Sequence, residues 1–543
     1  MSLRNSPVPR ILPPEIDLTQ IESSVCELLD GCSKFLHEEK GISTTCRIAG
    51  GWVRDKLLGS QSNDIDVALS DIMGLAFAEH LTTFAQVKGV EIGTITAIEQ
   101  NPEQSKHLET ATCKIFGLNI DLVNLRSEEY AESSRIPTEV SFGTPLQDAL
   151  RRDITINALF YNVHTHEVED FTGKGLNDLR DGVIRTPMPP GETFLDDPLR
   201  VLRCIRFASR FGFDIVPESK EAARDPIIQN ALATKVAHER VGDEVGKMIE
   251  GRDPLHSVKL IQELSLYDTI FFNISTEVKS RLSRPFTPLS GDGLAAVSIL
   301  HTLLNSGGSK PFSLHYSLQI DSTFKARLYL AATLTPFLGI ECRDHKQKHH
   351  PLVEVVIRDS LKLGAQNHYI DGIPPLFAAT RLIKAQITQS QHSLDRVRLG
   401  LLLRHKLVHN PNTGSHWTAS LLFTLVTELI PLYDVEKDSM DVEAASKIVQ
   451  SYNSFVEKIH DLDLPKDVEA RPILNGHEII TALGVDKPGP WVGKVLDDVI
   501  EWQLGHPQQS KDDCLQWLTS RRDNYLSTIN FTPGLASKRL RTR

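Results

Sequence analysis

Two acids separated by one position, Asp64 and Asp66, follow closely on a Gly50-Gly51 pair. On a strand, residues two apart face the same way, so these carboxylates stand side by side. Packed that close they repel, and each pKa rises unless a cation intervenes. Mg²⁺ is the expected cation, because it is hard, seeks oxygen and completes its octahedron with substrate phosphates. Gly50 and Gly51 supply the matching half: lacking Cβ atoms, they let backbone N–H groups approach phosphate oxygens, and the N-terminus of a following helix adds positive potential. Asp121, in Ile120-Asp121-Leu122-Val123, is a candidate third carboxylate. It serves as metal ligand or proton acceptor if a neighbouring strand brings it to the pair, and otherwise is a structural acid at a strand start. Alone, an Asp-x-Asp is two solvated acids and a Gly-Gly is a turn. In the order strand, Gly-Gly turn, helix, acidic strand, they put phosphate donors beside metal ligands.

Two further constellations follow. Arg151-Arg152-Asp153 with Asn157 puts cationic donors, an acceptor and an amide within about two helical turns. Such a set can hold a triphosphate and a ribose hydroxyl, or be a surface ion-pair cluster. Asp196-Asp197-Pro198-Leu199-Arg200 reads as a helix start with Pro198 at the first helical position. Asp197 and Arg200, three apart, are expected to project together. Cytosine and adenine each offer an amino donor beside a ring-nitrogen acceptor, which a carboxylate and a guanidinium match. Guanine and uracil put a carbonyl beside a ring N–H and mismatch both groups, at roughly 1–3 kcal/mol per lost buried hydrogen bond. An ordinary N-cap acid beside an arginine is the plainer reading of the same two residues.

The elements that position these groups follow from periodicity. Cys46–Ala49 reads as a strand entering the Gly50-Gly51 turn, Trp52–Leu58 as a helix ended by Gly59, and 64–69 as an alternating strand. Asp71 is the expected cap of a helix running to Phe84, 98–109 a polar loop, and 113–116 with 120–125 a hairpin around Gly117-Leu118-Asn119. Beyond about residue 185 helical periodicity dominates, as in Leu199–Phe211, His238–Glu250 and Pro254–Leu266. His345-Lys346-Gln347-Lys348-His349-His350 reads as a solvated loop.

The chain has 543 residues, 40% hydrophobic and 24% charged, which is ordinary globular composition. No apolar run is long enough for a membrane span, and no signal core opens the chain, so neither a membrane nor secretion is expected. Its seven cysteines are scattered without a CxxC pair, arguing against structural zinc or a disulfide framework. Fifty-nine Lys+Arg against seventy Asp+Glu gives −11, so nucleic acid cannot be gripped by the whole surface; it needs a local basic groove. Arg200, Arg203, Arg206 and Arg210 form one acid-free local cluster, and the Lys538–Arg543 tail another. The proline-rich first 20 residues, with Arg4 and Arg10, read as a leader.

Taken in order, Gly50-Gly51-Trp52-Val53-Arg54-Asp55, Asp64-Ile65-Asp66, Arg151-Arg152-Asp153, Asp196-Asp197-Pro198-Leu199-Arg200 and His238-Glu239-Arg240-Val241 resemble the successive motifs of class II tRNA nucleotidyltransferases. These are CCA-adding enzymes of the DNA polymerase β-like superfamily. Segments 106–111, 124–130, 471–476 and 484–503 resemble fungal members, whereas 270–440 match weakly. The resemblance implies an α+β fold, a small mixed β-sheet nucleotidyltransferase head followed by an all-helical neck, body and tail. Its implied bounds are 1–40 leader and helix, 41–185 head, 186–262 neck and 263–543 body and tail. It further implies addition of C, C and A to the tRNA 3′ end from CTP and ATP, with tRNA as macromolecular partner and Mg²⁺ held by Asp64 and Asp66. Gly50, Gly51 and Arg54 would hold the triphosphate, while Arg152, Asp153 and Asn157 would contact sugar or phosphate. Asp197 and Arg200, with Arg203 beside them, would complete the nucleotide site, the first two reading the base. Glu239 and Arg240 would brace the neck helix. The one departure is Asp196, where many members carry Glu. The 98–109 loop resembles the element associated with the terminal A and so favours full CCA synthesis. Open alternatives are CC-only or A-only addition, a poly(A)-type polymerase and a non-enzymatic tRNA chaperone. A monomer is the default oligomeric expectation, and the cytoplasm the expected location, with nucleus and mitochondrion also open.

Overall fold

A computed structural model describes residues 11–98, 110–130, 137–305, 313–318, 322–389, 395–485 and 488–530. Most of the polar 98–109 loop, the first ten residues of the leader and the basic tail lie outside them. By internal contacts the chain divides into one unit of residues 1–297 with 333–366 and a second of 298–332 with 367–543. The four-part organisation expected from the sequence follows other bounds, its 263–543 part falling in both units, and remains a proposal.

The first unit opens with helix α1 (Gln20–Lys40), started by a Thr19/Glu22 capping box that satisfies two orphan N–H groups. Its buried stripe of Val25, Leu28, Leu29, Cys32 and Leu36 is the helical period visible in the sequence. Strand β1 (Cys46–Ala49) leads into α2 (Gly51–Leu57), then β2 (Asp64–Leu69) and α3 (Gly74–Val87). Asp71 does not cap α3, whose N-cap is Met73 without a side-chain bond. The Asn124 amide donates to the Ile72 carbonyl, an acceptor that a helix starting earlier would need for itself.

Strands β3 (Thr96–Ile98), β4 (Thr110–Ile115) and β5 (Leu118–Asn124) follow, then the separate hairpin β6 (Arg126–Tyr130) and β7 (Pro137–Phe142). The β4–β5 hairpin turns at Phe116-Gly117, both at positive φ, so it is longer than expected and its turn lies one residue earlier. Helix α4 (Pro145–Leu150), then β8 (Phe160–Asn162) and β9 (Val168–Glu169) complete the head. The sheet order is β3-β4-β5-β2-β1-β8-β9. Only β2 and β5 run parallel, with Asp66 opposite Asp121 in register. The expected mixed sheet is therefore present.

Helices α5 (Gly175–Asp181), α6 (Pro190–Asp196), α7 (Leu199–Phe211), α8 (Pro217–Arg224), α9 (Pro226–Lys235), α10 (His238–Ile249) and α11 (Pro254–Glu263) make a helical layer. Pro198 is the N-cap of α7 rather than its first helical residue, though its backbone angles are already helical, and the Asp197 carboxylate accepts the Leu199 N–H at 3.3 Å. Short strands persist beyond 185. Val183–Ile184 pairs in parallel with Asp214–Ile215, and Glu341–Arg343 pairs with His349–Pro351. The 345–350 segment is thus the turn and second strand of a hairpin rather than a loop. Asp344 accepts the Lys346 and Lys348 N–H groups, and His349 meets Glu341 at 2.8 Å.

The second unit is built on helices, among them 417–429, 442–461, 476–483 and 491–505. One of its cores gathers Ile479, Leu483, Val495, Val499, Trp502 and Leu518. Among the described residues no helix is long and apolar enough to cross a membrane.

Helix α10 approaches the chain at Leu361 so closely that a Cβ on Gly242 would lie 1.7 Å from the Leu361 carbonyl oxygen. Only glycine permits this packing. Gly242→Ala is expected to lower unfolding free energy by about 1–3 kcal/mol, read from the urea midpoint at unchanged m-value.

Candidate active site

Strand β1 delivers the chain to Gly50, whose φ of 74° and ψ of −120° favour a residue without Cβ. A Cβ there would also sit 2.8 Å from Arg152 Nη1. The turn and the cation behind it are therefore built around the same missing atom. On β2, Asp64 is exposed while Asp66 is partly buried on the same face. Burial, and then the neighbouring Asp64 charge, push the Asp66 carboxyl up to about 6, with Asp121 adding to the effect and Arg152 opposing it. Asp121 takes a hydrogen bond from Thr112 Oγ1 at 2.7 Å.

A cavity of ≈ 570 Å³ opens between the inner strands β2, β4 and β5 and helix α7. Nine arginines and three aspartates line it. That excess of cations is the local basic groove which the overall charge of −11 requires of any polyanion-binding protein. Of the sequence candidates, Gly50, Gly51, Arg54, Asp66, Arg152, Asp153, Asn157, Asp197, Arg200, Arg203 and Arg240 line it. Asp64 and Asp121 stand beside Asp66 on β2 and across from it on β5 rather than in the wall. Glu239 is exposed on the first turn of α10.

Acids hold the guanidiniums of this wall in place. Arg54, buried, donates to Asp55 at 2.8 Å and to the Asn157 side chain, and lies 5.2 Å from the Phe207 ring and 4.8 Å from Phe211. It is thus a fixed part of the wall rather than a free phosphate-gripping arm. Asn157 in turn donates to Asp153 at 3.0 Å, and Arg203 binds the other Asp153 oxygen at 2.7 Å. Burial would raise Asp153, but Arg203 and the Asn157 amide outweigh it and hold its pKa low. Arg206 is anchored by Glu244 at 2.6 Å.

The expected base reader differs from the simplest picture. Asp197 is paired not with Arg200 but with Arg240, at 2.9 and 3.4 Å. Arg200 donates to the carbonyl of Arg151 at 2.7 Å and that of Thr193 at 3.4 Å. Both residues reach the cavity wall, each oriented by a group outside the pair. The sequence reading missed Glu244, Phe207 and Asp148. Asp148 had a signal, standing three and four residues before Arg151 and Arg152; Glu244 lies on another helix from Arg206 and had none.

Residues 46–185 match the family described as "Poly A polymerase head domain", and residues 212–277 match "Probable RNA and SrmB- binding site of polymerase A". The "CCA tRNA nucleotidyltransferase, mitochondrial" of Saccharomyces cerevisiae is 37% identical over 94% of this chain and 95% of its own length. The chain belongs to the CCA tRNA nucleotidyltransferase family. The protein of the same name from Candida glabrata is also 37% identical, over 94% of this chain and 98% of that one. The solved "Thermotoga maritima CCA-adding enzyme complexed with tRNA_CCA" shares the fold, with TM-score 0.56 at 19% identity over 92% of this chain and 95% of that one.

Nucleotidyltransferase chemistry generally uses a divalent metal. Among the described residues no cluster of three or more metal-binding side chains converges. Asp64 and Asp66, two carboxylates on one face of β2, are oxygen donors of the kind a hard divalent cation takes when water and substrate phosphate fill its other positions. The raised Asp66 carboxyl beside Asp64 is a charge conflict that a dication would relieve.

Asp148 ties this family member's site to its acid stability. Burial alone would raise its carboxyl, but Arg152 and Arg151 overrule burial and hold it at about 2, against an ordinary 3.8. A folded pKa below the unfolded one adds stability above pH 3.8 that is lost as pH falls through 2. The difference is on the order of 2 kcal/mol. Urea unfolding at pH 4.5 and pH 2 is expected to show a steeper loss for wild type than for Asp148→Asn, by about that amount.

Proposed function

We propose that this chain completes tRNA 3′ ends by adding C, C and A from CTP and ATP without a nucleic-acid template. The observation that carries this reading is one cavity whose wall holds the acidic strand (Asp66), the glycine turn (Gly50, Gly51) and the Asp197/Arg200 pair together. Reacting phosphate, triphosphate tail and base would then be held in one place. Near-whole-length identity to fungal members of the family supports it.

In this reading the terminal tRNA hydroxyl attacks the α-phosphate. A new O–P bond forms, the bond to the β-phosphate oxygen breaks, and pyrophosphate leaves. Asp64 and Asp66 would hold Mg²⁺, which would supply charge neutralisation and lower the pKa of the attacking hydroxyl. Asp121, opposite Asp66 in register, would take the hydroxyl proton. Gly50 and Gly51 offer N–H groups to the phosphates, and Arg152 offers the N–H groups its neighbours leave free. Asp153 and Asn157 meet the sugar side, with Arg203 fixing Asp153.

Asp197 accepts from the exocyclic amino group of C or A through the lone pairs that Arg240 leaves open, and Arg200 donates to the adjacent ring nitrogen. Arg240 sets the orientation of that carboxylate, so it braces the base reader directly; Glu239, exposed, does so only through the helix. The neck spans about 186–262, and the body and tail, 263–543, hold tRNA through phosphates and shape. A mitochondrial pool fits the names of the two relatives, with cytoplasmic and nuclear pools alongside it.

Incubating the protein with tRNA lacking its 3′ end, Mg²⁺ and each nucleotide, singly and together, is expected to give a product that stops at CCA. Arrest at CC, addition of A only, an open-ended A tail, or binding without addition would each replace this reading with a stated alternative. Asp64→Ala is expected to abolish incorporation with tRNA affinity retained, measured by filter binding; preserved turnover would remove the metal assignment.

A further inference from the structure

We infer that Asp148 is a positioning residue that aims Arg151 and Arg152 at the triphosphate tail, an inference that rests on the nucleotidyltransferase reading above. Helix α4 is short and firmly started. Thr144 and Gln147 form a capping box and Pro145 occupies the first turn. This fixes Asp148 with its side chain 1% exposed, beneath two arginines that are 20% and 18% exposed. Each carboxylate oxygen takes one arginine fork. Oδ1 accepts from Arg151 Nε at 2.8 Å and Nη2 at 2.5 Å, and Oδ2 from Arg152 Nε at 3.1 Å and Nη2 at 2.9 Å. Both arginines line the cavity, whereas Asp148 does not.

The arrangement has the chemistry of a sight rather than a ligand. Two adjacent guanidiniums in a wall that already carries seven others would splay into solvent. One buried acid cancels a unit of that repulsion and locks both planes. Arg152 is clamped further by the Asn157 carbonyl, at 3.1 Å from Nη1, and by the Phe160 ring, 5.2 Å away. These bonds use three of its five N–H donors, leaving two for a ligand beside Gly50. Because the fork recognises phosphate oxygens and not the base, its loss should affect CTP and ATP alike. Arg200 donates to the main-chain carbonyl of Arg151, not to the side chain that Asp148 holds, so the base reader does not depend on this fork.

The probe is inorganic tripolyphosphate, titrated calorimetrically into the full chain without tRNA or nucleotide, alongside steady-state CCA addition. Asp148→Asn is expected to weaken tripolyphosphate binding at least tenfold. KM for CTP and for ATP should rise by the same factor, with kcat within threefold and the preference for C and A over G and U unchanged. Asp148→Glu, which keeps the charge on a longer arm, should sit between, about threefold weaker than wild type. Wild-type tripolyphosphate affinity in Asp148→Asn, or unequal effects on the two nucleotides, would overturn the assignment. Should Asp148→Asn not fold, Asp148→Glu decides, and wild-type affinity there overturns it. The two readings fail separately. Tripolyphosphate binding that depends on Asp148 in a protein that adds nothing to tRNA would sink the function alone, and normal CCA addition with binding indifferent to Asp148 would sink this inference alone.

Discussion

Like charges repel, and this fold gathers nine arginines around a single cavity of ≈ 570 Å³ in a chain whose net charge is −11. Two unit charges 4–8 Å apart in a medium of effective dielectric near 20 repel by about 2–4 kcal/mol, so the wall cannot stand unaided. Asp55, Asp148, Asp153, Asp197 and Glu244 supply the opposing charges. Most of these acids stand behind the surface, so the cavity keeps a cationic face while its scaffold stays close to neutral.

That wall comes from two layers. The sheet contributes the acidic strand, placed by the single parallel pairing of β2 with β5, and the Gly50 turn beside Arg152. The helical layer contributes α7, whose Arg203, Arg206 and Arg210 alternate with Phe207 and Phe211. The two rings stack at an interplanar angle of 1°, and Arg54 from α2 lies against both. Helix α10 carries Arg240 to Asp197, and its seat depends on Gly242. Head and helical layer therefore meet at guanidiniums, where directional bonds fix orientation as hydrophobic contact alone would not.

Much of this was legible in local spacing. The β1–turn–α2 unit, the Asp-x-Asp strand, α7 and α10 all announce themselves through period, glycine or proline, and the motifs they carry converge in space. Tertiary choices were not legible. Asp71 yields as a cap because Asn124, far along the chain, claims the Ile72 carbonyl. Asp197 and Arg200 share a helix start, yet each is oriented by a residue on another element, Arg240 and Arg151. Arg54 looks like a phosphate hand in sequence, but burial against Phe207, Phe211 and Asn157 makes it part of the wall. The histidines near 345–350 fold into a hairpin because Asp344 organises their turn through backbone bonds that no side-chain periodicity reveals.

The central claim is that protein side chains stand in for a template strand, and the ratio of CMP to UMP incorporation on tRNA ending one step short of its first C tests it most directly. With Asp197→Asn the acceptor becomes an amide that can donate to the uracil carbonyl. The account predicts that the wild-type preference for C falls at least tenfold, with UTP use rising in absolute terms. A variant that remains active and keeps the wild-type ratio would contradict the account, because base choice would then reside elsewhere.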